Sequence, residues 1–245
     1  MRLLLPLLLL ALSAAPARAA EPVDVALVLV GDVSRSIDEG EFALEKQGYA
    51  AALTSPEVLA AITGGPRGAI AVAYVEFAGT NEVRTVLDWA VLGDGESAGA
   101  FAARLAAAPR SYLGRTAIGE AITFAETVLA AGGFVGARRV IDVCGDGTSN
   151  AGRPVAAARD EAVAAGIVVN GLAIINERGP AYIFAHTHPP GGLAQYYQDN
   201  VIGGPGAFVL EVHDFADFGN AIARKLVQEI ATGRPARASG QLATR

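Results

Sequence analysis

Apolar runs of strand length alternate along this chain with longer runs of helical spacing, and that order constrains the fold more than any single motif. A parallel strand needs a crossover to bring the chain back to the same edge of the sheet, usually a helix, so the alternation predicts an α/β domain with a mainly parallel sheet. Residues 23–30 form a continuous apolar run broken only by Asp24, as expected of a central strand covered on both faces. Further strands are predicted over 69–77, 83–91, 139–144, 167–175 and 208–212. The second and third are joined only by a short turn containing Gly79 and Asn81, which makes them a hairpin and the third strand antiparallel. Helices are predicted over 39–53, 97–107, 117–131, 154–165 and 215–230. The third of these closes on Gly132-Gly133, and the fourth has Pro154 at its start and Gly166 beyond its end. The expected architecture is a doubly wound, mainly parallel six-stranded sheet with one antiparallel edge strand and helices on both faces.

The two ends read differently from this body. Met1-Arg2, an apolar run over 3–12 and Ala17-Arg18-Ala19-Ala20 have the three parts of a secretory signal peptide, predicted over 1–20. The apolar run is shorter than the roughly 20 residues that span a bilayer, so no transmembrane anchor is expected there. The α/β domain is assigned to 21–231, and 232–245, small, polar and basic without periodicity, to a disordered tail. The chain has 19 Lys+Arg against 25 Asp+Glu, and removing the leader takes away Arg2 and Arg18 but no acid. An acidic chain without a basic block is poorly suited to nucleic acid or to anionic lipid. Its single cysteine, Cys144, rules out an internal disulfide and reads as a small buried hydrophobe.

Three separated stretches carry oxygen donors in a fixed order: Asp32-Val-Ser34-Arg-Ser36, Gly114-Arg-Thr116 and Gly145-Asp146-Gly147. Two carboxylates and three hydroxyls suit a hard divalent cation such as Mg²⁺, with Mn²⁺ or Ca²⁺ as alternatives. The topology explains why they should meet. Asp32 follows the first strand and Asp146 the fourth, and ligands in open α/β sheets bind beyond the carboxyl ends of strands where the winding reverses.

This set resembles the metal-ion-dependent adhesion site of von Willebrand factor type A domains. All five positions of that pattern match: Asp-x-Ser-x-Ser, a later loop Thr, and an Asp-Gly after a middle strand. The element order resembles the same fold from first strand to last helix, and within the superfamily it looks most like an uncharacterised bacterial group of exported single-domain proteins. The resemblance implies that Ser34, Ser36 and Thr116 bind the cation through their hydroxyls, and that Asp32 and Asp146 act largely through bound water. It also implies that one position stays open for an Asp or Glu of a protein partner.

Each stretch also has a purely local reading. Ser36 with Glu39 has capping-box spacing, Thr116 precedes a helix, and Asp146-Gly147 is a common turn. Ser149-Asn150 is expected to shape the metal loop, whereas Asp142 and Glu76 lie on strands with either face open to them. His186-Thr-His188 has the spacing of two zinc ligands but no third, beside Pro189-Pro190, and reads as a solvated loop. No nucleophile elbow or phosphate loop is present. The expected function is therefore an exported, periplasmic or extracellular, non-enzymatic module that binds a partner through the cation. The alternatives are a metal-assisted hydrolase, or a structural metal with recognition through the long irregular segment 176–206.

Overall fold

The structure is a computed structural model that describes residues 21–134, 137–175, 184–213 and 217–231. The leader over 1–20, the tail over 232–245 and part of the 176–206 segment lie outside the described residues. The sheet has strands β1 (Val25–Asp32), β2 (Ile70–Phe77), β3 (Val83–Leu92), β4 (Arg138–Gly145), β5 (Val168–Ile174) and β6 (Val209–Val212). Their order is β3-β2-β1-β4-β5-β6. All pairings are parallel except β2 with β3, so the antiparallel strand lies at the edge, as the hairpin requires.

The period of two along β1 sorts its side chains between two cores. Val25, Leu27 and Leu29 face the layer of α1 (Glu39–Leu53), α2 (Pro56–Thr63), α3 (Gly95–Ala107) and α8 (Phe218–Ala231). Ala26, Val28 and Val30 face α4 (Ile118–Gly132), α5 (Val155–Ala164) and the short helix α7 (Leu193–Tyr196), which runs into a π-helical turn over Tyr197–Val201. Every residue of β1, β2 and β5 is buried, which is why these strands read as near-continuous apolar runs. Burying one such Val or Leu contributes about 1.5–3 kcal/mol.

Local chemistry sets the helix ends. The capping box of α1 is formed by Asp38 and Glu41. The Asp38 carboxylate accepts from the Glu41 N–H at 2.8 Å, and Glu41 accepts from the Asp38 N–H at 2.9 Å. The alternative Ser36–Glu39 box is therefore not formed, and Ser36 is not the cap of this helix. Thr116 does not cap α4 either: Ala117 stands at the N-cap and the helix start has no side-chain cap. Helix α4 ends on Gly133 at φ 70, a left-handed position that suits glycine. Helix α2, absent from the sequence reading, starts with the Ser55 hydroxyl accepting from the Val58 N–H and with Pro56 in its first turn.

The chain leaves β1 for β2 on one side and, after β3, returns across β1 to place β4 on the other side. The reversal therefore lies between β1 and β4. Asp32 is the last residue of β1, and Asp146 directly follows β4.

Candidate functional site

The loop after β1 is folded around one side chain. The guanidinium of Arg110, from the segment after α3, donates from Nη2 to the carbonyls of Val33 at 2.9 Å, Ser34 at 2.6 Å and Ile37 at 2.9 Å. Its Nε donates to Val33 and Tyr112, and its Nη1 reaches Glu39 at 3.2 Å. With these carbonyls bonded to Arg110, Ser34 and Ser36 line the pocket of the site. The Ser34 N–H donates to Asp32 Oδ1 at 2.7 Å, which closes the turn from the other side.

The expected oxygen donors are brought together. Ser34 Oγ and Ser36 Oγ are 3.1 Å apart, and Ser36 Oγ donates to Asp146 Oδ1 at 2.6 Å. Thr116 is held by the loop after β4. Its N–H donates to Asn150 Oδ1 at 2.9 Å, and its carbonyl accepts from the N–H groups of Asn150 and Ala151 and from Ser149 Oγ. Ser149-Asn150 thus shapes this loop as expected. Ser34, Ser36 and Thr116 line one pocket of about 270 Å³ with Arg35, Arg115, Asn150 and His186.

Beneath the hydroxyls, Asp32 and Asp146 are both 0% exposed. Each has one carboxylate oxygen, Oδ2, without a hydrogen-bond partner among the described residues. Burial, together with the charge of Asp146, raises the Asp32 pKa to about 8, against the pull of Ser34 and Arg110. Burial raises Asp146 to about 6, against the hydrogen bond from Ser36. Glycine makes room for this pairing: a Cβ on Gly145 would stand 3.0 Å from Asp32 Oδ2 and 2.8 Å from the Tyr197 hydroxyl. Among the described residues no group of three or more His, Cys, Asp or Glu gathers as a metal cluster. The donor set here is two carboxylates with three hydroxyls, which suits a hard cation that keeps part of its water.

His186 does not sit in a solvated loop. It is half-buried in the short helix α6 (Phe184–Thr187), with Nε2 3.1 Å from Thr116 Oγ1 and Nδ1 3.0 Å from Thr148 Oγ1. Its carbonyl accepts from the Thr148 N–H at 3.1 Å. A Cβ on Gly147 would collide with the imidazole, so glycine permits this approach. Burial and the charge of Arg115 lower the His186 pKa, which favours the neutral ring. Sequence reasoning missed Arg110, and it named His186 but placed it in a solvated loop.

The strand acids also resolve. Glu76 is buried, accepting from Lys46 Nζ at 3.3 Å and from the Ser111 N–H at 2.9 Å. Asp142 is buried and paired with Lys225, which also bonds Glu229; Asn170 Nδ2 donates to Glu229 at 2.9 Å. Cys144 is buried, as expected of a small hydrophobe.

Solved structures share the fold. Proximal thread matrix protein 1 from the mussel byssus, "with zinc occupied MIDAS motif", superposes with a TM-score of 0.60 at 16% identity, over 86% of this chain and 49% of that one. The pilus adhesin SpaC of Lactobacillus rhamnosus GG gives 0.61 at 16% identity, over 85% of this chain and 30% of that one. A von Willebrand factor type A protein from Catenulispora acidiphila gives 0.56 at 16% identity, over 85% and 42%. This chain therefore spans about half of the mussel protein and under a third of the adhesin. No curated protein matches the sequence. The profile of the family described as "Protein of unknown function (DUF1194)" matches residues 22–234. The chain is a member of that family, folded as a von Willebrand factor type A domain.

Proposed function

We propose that this chain is a non-enzymatic binding module. It holds a divalent cation, Mg²⁺ first, at Asp32, Ser34, Ser36, Thr116 and Asp146, and presents it to an Asp or Glu of a protein partner. The observation that carries this reading is the convergence of two fully buried carboxylates, each with an Oδ2 that has no hydrogen-bond partner among the described residues, on Ser34 and Ser36, which line one pocket with Thr116. An unpaired buried carboxylate is costly, and a cation above the pair offsets that cost. The cation supplies positive charge that neutral hydroxyls do not quench. Asp32 and Asp146 would hold it largely through bound water, and Arg110 fixes the loop that carries Ser34 and Ser36. Arg35 and Arg115 at the pocket add to its attraction for an acidic group. The zinc-occupied motif of the mussel protein supports a divalent ion in this place on the fold.

We read residues 1–20 as a secretory leader, which puts the module in the periplasm or outside the cell. That a pilus adhesin and a byssus protein share the fold agrees with this. Among the described residues no helix is long and apolar enough to cross a membrane. The hydrolase alternative gains a candidate base in His186. Both of its ring nitrogens stand within 3.1 Å of hydroxyls, those of Thr116 and Thr148.

Capture from exported proteins, with Mg²⁺ or with chelator, tests the reading. Chelator-sensitive capture that Asp32→Ala abolishes is the expected result. Capture indifferent to chelator would place recognition elsewhere, as on the 176–206 segment. Turnover of a captured species would make the protein a hydrolase.

A further inference from the structure

We propose that His186 is a ligand of the chain's own, holding the coordination position otherwise open to an outside carboxylate and raising the site's affinity for zinc-class ions. The inference rests on the metal reading above. Two ligands at right angles around an ion, each about 2.1 Å from it, are about 3.0 Å apart. Ser34 Oγ and Ser36 Oγ show that spacing at 3.1 Å, and so do Thr116 Oγ1 and His186 Nε2 at 3.1 Å. All four side chains line the same pocket.

The far side of the ring is arranged as a metal-bound histidine requires. A ligating imidazole almost always has its other nitrogen hydrogen-bonded, which fixes its tautomer and orientation. Here Nδ1 faces Thr148 Oγ1 at 3.0 Å, two residues from Asp146 on the same loop. With the proton on Nδ1, donated to Thr148 Oγ1, the lone pair of Nε2 is directed at Thr116 and the pocket. Imidazole suits zinc-class ions, whereas Mg²⁺ prefers oxygen and retains water. A partner's carboxylate would have to displace His186, so the site is closed in the resting chain.

The test uses the full, untagged protein loaded with Mn²⁺ and read by pulsed electron paramagnetic resonance, with Zn²⁺ and Mg²⁺ affinities measured in parallel. The bound Mn²⁺ should show an imidazole nitrogen coupling that His186→Ala removes. Gly147→Ala, which crowds the ring, should weaken it. His186→Ala should cost at least about tenfold in Zn²⁺ affinity and leave Mg²⁺ affinity within a few-fold. If His186→Ala does not fold, the wild-type and Gly147→Ala spectra decide. Mn²⁺ that binds without nitrogen coupling overturns the inference and leaves the metal reading intact. A coupling retained in His186→Ala would come from another histidine and also overturns it. Mn²⁺ binding that is absent, or indifferent to Asp32→Ala, overturns both.

Discussion

Ser36 Oγ donates to Asp146 Oδ1 at 2.6 Å although the two residues are 110 positions apart. The bond joins the loop after β1 to the loop after β4 across the point where the sheet reverses its winding. It brings a hydroxyl of the first motif onto a buried carboxylate of the last.

Stability of the metal-free protein should fall as pH rises. Burial holds Asp32 at about 8, Asp142 at about 7 and Asp146 at about 6, all above the ordinary 3.8. Between that value and the raised ones, the folded chain keeps protons that the unfolded chain has lost, so this contribution is fully present below 3.8 and lost on the way to about 8. Melting temperatures in chelator should be higher near pH 5 than near pH 8. Added Mg²⁺ should raise them most at the higher pH, where the carboxylates are free to bind. A Mg²⁺ effect larger at pH 5 would contradict this.

Lys225 lies fully buried between Asp142 and Glu229. Lys225→Met leaves two carboxylates without their cation and should destabilise the fold by about 3–5 kcal/mol, lowering the melting temperature by roughly 10 °C. Denaturant unfolding measures this directly. A change within experimental error would mean that the two carboxylates share a proton and need no lysine.

Thr116→Ala should leave the protein folded, since it removes only the hydroxyl's contact with His186, worth about 1 kcal/mol. It should weaken partner capture more than Mg²⁺ binding, because Ser34, Ser36 and the two carboxylates remain. Paired calorimetry and capture on this variant check the prediction. Unchanged capture by a folded variant would make the cation structural.

The strands were legible because buried parallel strands must be apolar throughout, as β1, β2 and β5 are. That the loops carrying Asp32, Ser34, Ser36 and Asp146 would meet was legible because they follow β1 and β4, between which the sheet reverses; Thr116 stands just before α4. Helix α2 carried a readable start in Ser55-Pro56 but is only eight residues long, too short for its spacing to stand out. Arg110 gave no signal, since its acceptors apart from Glu39 are the backbone carbonyls of Val33, Ser34, Ile37 and Tyr112, and any sequence has carbonyls. His186 was misread because its partners, Thr116 and Thr148, approach only through tertiary folding. Asp142 stayed ambiguous because its partner Lys225 occupies a core-facing position of α8, where an apolar residue is the usual occupant.

Calorimetric titration of Mg²⁺ into the metal-free protein tests the central claim most directly. Wild type should show saturable binding at one site, and Asp32→Ala and Asp146→Ala, confirmed as folded, should weaken it by at least about tenfold, an energy of about 1.4 kcal/mol or more. Equal binding by wild type and both variants would contradict the account.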